Sequence, residues 1–276
     1  EEPIRLIAAK ARALGMLDNL TVSFIAADSV ATHSICEGAP GFARDNGISV
    51  PDDTVYTVDI TPGVQEVKSV LAPMQEAAVD VIVACTYDVT VDAIVKALQE
   101  LEFSPKALVA NFGRRSTYDK SWECEAPRRP GLAHPRFSCA DPVCVVHLAD
   151  DYLLVPIPWH PLYNSGVGAF SNMTSLQFAD AYSARFHGDK PTYLAASMFA
   201  SLCALAVAIE QAGTLETSAV AAQLRALQLI EFYGNLTFDA NGQASSKKMA
   251  VLQNTPGRGT VTQAANVSTF VFPMPT

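Results

Sequence analysis

Residues 80–101 read DVIVACTYDVTVDAIVKALQEL, and this stretch decides the fold class. From Val81 to Cys85 the run is apolar without a break and rich in β-branched residues, the pattern of a short strand buried on both faces. After Thr86, Tyr87 and Asp88 the period changes. Ile94, Leu98 and Leu101 fall on one face of a helix over 89–101. A buried strand that leads into an amphipathic helix, with no hairpin signal between them, is the building unit of a parallel sheet.

The same alternation extends in both directions. Residues 3–14 carry a helical stripe at Ile4, Ile7, Ala8, Ala11 and Leu14, with Pro3 at its start and Gly15 after it. LTVSFIAA at 20–27 reads as a buried strand, 32–46 as one helix stopped by Asn46-Gly47, 55–60 as a strand, 64–77 as a helix and 107–111 as a strand. Residues 1–111 therefore predict a parallel α/β sheet covered by helices on both faces. Ligands of such sheets bind beyond the carboxyl ends of the strands. Here those ends are Asp28-Ser29, Asp59-Ile60-Thr61, Thr86-Tyr87-Asp88 and Asn111-Phe112-Gly113.

Beyond them, 114–146 reads as an irregular insertion rich in Pro, Arg and Cys. DYLLVPIPW at 151–159 is an extended segment broken by Pro156 and Pro158. Three helices follow, over 175–186, 193–212 and 217–227. Strand-like runs at 234–239 and 248–253 flank Asn241-Gly242, a hairpin signal, and 256–276 reads as an irregular tail.

Composition narrows the functional classes. The 276 residues are 49% hydrophobic and only 17% charged, which excludes a mainly disordered chain. The net charge of −9 offers no basic surface for phosphates, so no nucleic-acid partner is expected, nor electrostatic docking on anionic lipid. The fifteen-residue apolar run at 195–209, ended by Glu210, is shorter than the ~20 residues of a membrane span and reads as a buried helix. The opening Glu1-Glu2-Pro3 is not a signal peptide and reads as the start of a mature or trimmed segment.

Cysteines and sequons speak to compartment. Cys124, Cys139 and Cys144 crowd into the insertion and predict at least one local disulfide, with Cys139 and Cys144 the closest pair. No second short Cys or His pair accompanies them, and His134 and His147 stand alone, so no metal site is expected. Cys85 and Cys203 lie in apolar runs and read as buried free thiols. Asn19, Asn172, Asn235 and Asn266 all open N-x-[ST] sequons. Four of nine asparagines is more than the one or so that chance gives, which favours a glycosylated, secreted chain over a bacterial periplasmic one.

Three stretches together carry a family resemblance. They are AAKARALGMLDNLTVSFIAADS at 8–29, the 80–101 segment, and TYLAASMFASLCALAVAIEQAG at 192–213 followed by AVAAQLRAL and YGNLTFDANGQASSKKMAVLQ. In this order the chain resembles the type I periplasmic binding proteins, particularly the branched-chain amino-acid binding group. The resemblance implies two α/β lobes joined by three crossovers, with a small ligand between them. On that plan residues 5–155 are most of the second lobe, 160–228 are helices returning to the first, and 229–255 re-enter the second as a hairpin. The N-terminal part of the first lobe is absent. Residues 193–209 are apolar nearly all round, so the missing segment, or another chain, is expected to cover 161–227.

The resemblance also implies a ligand set after the strands: Tyr87, with Asp28, Ser29, Thr86, Asp88 and Asn111 around it. Each has a plainer role beside it, capping a helix or lining a loop. Val30-Ala31 stand where many members have Tyr or Phe followed by Gly. Asn111-Phe112-Gly113 stand where some members carry an acidic residue that grips a ligand amine.

Hydrolase, phosphate-loop and zinc-protease motifs do not occur, Cys85 has apolar neighbours, and the carboxylates Glu123, Glu125, Asp150 and Asp151 read as solvated loop residues. The expectation is therefore not an enzyme and no cofactor. It is an extracellular Venus-flytrap domain, in a cell-surface receptor or transport-related protein, for a small polar metabolite such as an amino acid. The second reading is a structural surface glycoprotein that kept the fold without the ligand. A homodimer or larger surface assembly is compatible with either.

Overall fold

The computed structural model describes residues 1–51, 55–111, 152–162, 165–244, 249–255, 258–262 and 271–274. The insertion at 114–146 with Cys124, Cys139 and Cys144, and the sequon Asn266, lie outside the described residues. The chain divides into two compact units and passes between them at 17–18, 154–155, 252–253, 260–261 and 270–271.

The unit built on Asp18–Leu154 carries β1 to β4 of the parallel α/β sheet read from the sequence. Strand β1 (Val22–Ala27) pairs in parallel with β2 (Val55–Val58) on one side and β3 (Val81–Cys85) on the other. Strand β3 pairs in parallel with β4 (Ala107–Ala110), and β4 with β5 (Leu154–Ile157). Strands β8 (Ala250–Thr255) and β9 (Arg258–Thr262) extend the sheet, giving the order β2-β1-β3-β4-β5-β8-β9. Every residue of β1, β3 and β4 is buried, as continuous apolar runs require. Helices α2 (Val30–Cys36), α3 (Ala39–Asp45), α4 (Val64–Glu76) and α5 (Asp88–Glu100) supply the crossovers. At the opposite strand ends, Asp80 accepts from the Thr21 amide at 3.1 Å and meets Lys106 Nζ at 2.6 Å, fixing the start of β3 beside β1.

The other unit holds α1 (Glu2–Ala13), which the 5–155 boundary placed with the sheet. Its stripe announces a buried face but not which neighbour that face meets. Helices α6 (Ser175–Arg185), α7 (Tyr193–Ala212) and α8 (Thr217–Ala226) lie in this unit, with the antiparallel pair β6 (Leu229–Glu231) and β7 (Gly234–Leu236). Their core is aromatic. Phe178 stacks on Phe232 with centroids 4.5 Å apart, and Trp159 meets Phe178 edge-on at 5.6 Å. Trp159 Nε1 donates to Ser175 Oγ (3.3 Å), which in turn donates to the Phe232 carbonyl (2.7 Å), so the buried polar atoms are paired. Helix α7 turns its small residues Ala196, Ala200, Cys203, Ala204 and Ala208 inward. It leaves Leu194, Met198 and Leu202 about 60% exposed.

Several expectations are corrected. The single helix over 32–46 is two, α2 and α3, because Gly38 and Pro40 interrupt it; Pro40 has no N–H for an interior turn and sits in the first turn of α3. Cys85 is not a free thiol: it is disulfide-bonded to Cys36, 49 residues earlier. Cys203 is free and buried, as expected. The hairpin expected at Asn241-Gly242 lies one element earlier, between β6 and β7, within the helical unit. Asn241 and Gly242 instead close a local turn, in which Asp239 Oδ1 accepts from the Asn241 and Gln243 amides at 2.9 Å each. The broken segment at 151–159 contains an interior strand, β5, and part of the 256–276 tail is strand β9. Helix α7, at 20 residues, is long and apolar enough to span a bilayer by length and composition, unlike the fifteen-residue run read from the sequence.

Candidate functional site

The carboxyl ends of β1 and β3 bring four of the expected residues together. After Ala27, the Asp28 amide donates to Val58 at the end of β2 (2.7 Å), leaving the Asp28 side chain in solvent. Ser29 is the N-cap of α2, with extended backbone, and its Oγ accepts from the Thr32 amide at 3.3 Å. The capping role is thus real. The same Oγ also lies 2.8 Å from Thr32 Oγ1 and 3.1 Å from the Tyr87 hydroxyl.

One proton arrangement makes all these contacts hydrogen bonds. Thr32 Oγ1 donates to the Ala27 carbonyl, which can only accept. Ser29 then donates to Thr32, and Tyr87 donates to Ser29. The three hydroxyls form a directed chain from the phenol to the end of β1, each bond polarising the next.

On the β3 side, Thr86 is fully buried, and its hydroxyl has no partner among the described residues. A buried hydroxyl without a protein partner is uncommon. Tyr87 is the N-cap of α5, and Asp88 opens its first turn, with Oδ1 accepting from the Val89 amide at 2.9 Å. Asn111 is held at the end of β4 by its amide, which donates to Ala84 at 3.0 Å. It belongs to the same edge, but no side-chain contact joins it to the hydroxyl cluster. The structure therefore gathers Ser29, Tyr87 and, beside them, Thr86 and Asp88. Asp28 and Asn111 flank them on β1 and β4.

Two features escaped the sequence reading. Thr32 extends the hydroxyl chain, and its N3 position after Ser29 was a usable signal. The Cys36–Cys85 disulfide ties the far end of α2 to the residue before Thr86. In the helical unit, Glu231 is fully buried and holds the loop at 168–171. Its Oε1 accepts from the Phe170 and Ser171 amides at 2.8 and 3.1 Å, and Ser171 Oγ donates to Oε2 at 2.5 Å. Burial, with the Glu231 charge nearby, pushes the Cys203 thiol up to about 11, keeping it protonated at neutral pH. No group of His, Cys, Asp or Glu fit to hold a metal occurs among the described residues.

A family model described as "Periplasmic binding protein" matches residues 149–259. No curated protein matches the sequence. Among solved structures, the chain is similar to a substrate-binding protein of an ABC transporter from Desulfitobacterium hafniense, in complex with Leu: 16% identity, TM-score 0.62, over 94% of this chain and 65% of that one. A leucine-binding protein from Thermotoga maritima gives 18%, 0.64, 95% and 65%. A putative branched-chain amino-acid ABC transporter from Silicibacter pomeroyi gives 16%, 0.66, 99% and 67%. The resemblance to the type I periplasmic binding proteins is thereby met: a mixed α/β fold with a parallel-dominated sheet between helices. The chain spans 65% of the length of the first two of these proteins.

Proposed function

We propose that the chain is the ligand-binding part of a periplasmic or extracellular protein that captures a small polar metabolite, an amino acid being the leading candidate. The observation that carries this reading is the cluster at the ends of β1 and β3: the Ser29–Thr32–Tyr87 hydroxyl chain beside the buried, unpartnered hydroxyl of Thr86. Side-chain hydroxyls at the carboxyl edge of a parallel sheet suit the polar groups of a small ligand. Val30 and Val89, both exposed at the same edge, add apolar surface for its body. Tyr87 would pack on the ligand and hydrogen-bond it, with Ser29 as a polar contact, the buried Thr86 hydroxyl beneath them, and Asp28, Asp88 and Asn111 at the margin. In this reading the chain binds and releases, and performs no chemistry.

The exposed leucine and methionine face of α7 supports a covering partner for this region. A segment supplied by a longer form of the protein, or a second chain, covers residues 161–227. The solved structures are longer than this chain, which favours the former. Asn19, Asn172 and Asn235 are all exposed, as glycan carriers in a secreted receptor or surface protein must be.

Calorimetric titration with a panel of amino acids beginning with L-leucine tests the reading, on this chain and on any longer form. Saturable one-to-one heat supports it. Absence of heat with every amino acid would favour the structural surface glycoprotein suggested by Val30-Ala31 and Asn111.

A further inference from the structure

We propose that the Cys36–Cys85 disulfide is a positioning cross-link for the Ser29–Tyr87 contact, so that reducing it loosens the strand-end site while leaving the sheet intact. Its consequence for ligand affinity rests on the binding function proposed above; its consequence for local structure does not.

Helix α2 is short and has a small buried face. The helix has seven residues, too few for a helix to persist in water by itself. Its buried residues are Thr32 and Cys36. Its apolar side chains at Val30 and Ile35 face solvent, at 89% and 42% exposure, so neither adds to its hold on the sheet. The helix lies on β1 and β3 through Thr32 and Cys36, and two attachments reinforce it. At the N-terminal end, Thr32 and Ser29 run the hydroxyl chain into the end of β1. At the C-terminal end, Cys36 is bonded to Cys85.

Together these close a ring. From Ser29 the path follows α2 to Cys36, crosses the disulfide to Cys85, passes through Thr86 to Tyr87, and returns by the 3.1 Å hydroxyl contact to Ser29. Strand β3, by contrast, is paired on both sides, by β1 and β4. The cross-link therefore anchors a weakly held helix to a firmly held strand. Removing it should free the helix, not the strand.

Reduction by a dithiol such as dithiothreitol moves two electrons and two protons. The Cys36–Cys85 bond breaks, two thiols form, and the reductant closes its own disulfide. Both sulfurs belong to buried residues, so exchange requires α2 to lift first.

The test compares the oxidised chain, the dithiothreitol-reduced chain and the C36A/C85A variant. Amide hydrogen exchange should rise about tenfold or more over 30–36 and 86–91 in the reduced and variant forms, with β1 and β4 unchanged. The resonance of fluorotyrosine at Tyr87, assigned with Y87F, should move. Unchanged exchange and resonance would overturn the proposal. So would loss of protection across the whole sheet, or failure of both forms to fold, since either would make the bond a general staple. Where L-leucine binds the oxidised chain, C36A/C85A should weaken it about tenfold, and Y87F should cost far less in that background than alone. A full Y87F cost in both backgrounds would overturn the proposal. If the oxidised chain binds no leucine, that ligand assignment fails while exchange and resonance still decide the positioning claim.

Discussion

The carboxylate of Glu231 occupies the space that a side chain on Gly168 would need: a Cβ there would collide with Glu231 Oε2 and Ser171 Oγ. The glycine is required by close approach, since backbone and buried carboxylate share one small volume. Gly168→Ala must push the carboxylate off its donors or the loop off the carboxylate. A loss of about 1–3 kcal/mol in urea unfolding is expected, the scale of an overpacked site. Glu231→Gln keeps the shape but removes the charge and sets an amide NH2 against the Phe232 amide, with the Ser171 hydroxyl forced to turn and accept, and should cost about 1–3 kcal/mol. The double variant should cost clearly less than the sum, because both changes damage the same contacts.

His160 gives a pH dependence with a definite sign. Burial, and secondarily the positive charge of Lys190, lower its pKa from 6.5 to about 4. Its Nδ1 accepts from the Leu162 amide at 3.2 Å, which needs the neutral ring. Between these two pKa values the unfolded chain binds the extra proton and the folded chain does not. The contribution is thus present above pH 6.5 and is lost as pH falls through that window towards 4. His160→Gln should flatten the pH profile of stability in that range, measured by urea midpoints at several pH values. An unchanged slope would count against a neutral, desolvated imidazole.

Ser29 has two tasks that substitutions can separate. Ser29→Ala removes the α2 cap and interrupts the hydroxyl chain, and should cost about 1 kcal/mol of stability from the cap alone. Tyr87→Phe keeps the cap and removes the first donor of the chain. It should leave the unfolding midpoint nearly unchanged while altering ligand affinity. A large stability loss in Tyr87→Phe would mean that the phenol is mainly structural.

Helix α7 makes a prediction about the chain as it stands. Its outward face carries Leu194, Met198 and Leu202, each worth ~1.5–3 kcal/mol when fully buried. Without a covering surface, hydrogen exchange over 175–226 should be faster than over β1, β3 and β4. Equal protection of both regions would contradict the reading of an uncovered face.

The parallel sheet was legible because its signal is local. Val81 to Cys85 and the stripe of Ile94, Leu98 and Leu101 each report their own element. The break between α2 and α3 was also visible, in Gly38 and Pro40, and was outweighed by the helical look of the residues around them. What could not be read depends on neighbours remote in sequence. Cys85 was correctly placed in the interior, but its partner is 49 residues away, and burial suits a disulfide as well as a thiol. Glu231 lies in a three-residue strand where a charged side chain ordinarily faces water; only the loop at 168–171 supplies the donors that let it be buried. The strand-end residues were found from topology, whereas the Ser29–Tyr87 contact needed coordinates.

The sheet order also imposes a timetable on synthesis. Strand β5 ends at Ile157, yet its outer neighbour β8 begins only at Ala250. A ribosome adding about 5–20 residues each second needs several seconds or more to deliver that neighbour. Throughout that interval β5 is an edge strand, open to the nascent chains of adjacent ribosomes. Pro156, in the middle of the strand, has no backbone N–H, so β5 waits for its neighbour with one donor fewer than its length would give. A residue that looks like an interruption in the linear sequence thus sits inside a strand whose second neighbour is made last, between β4 and β8.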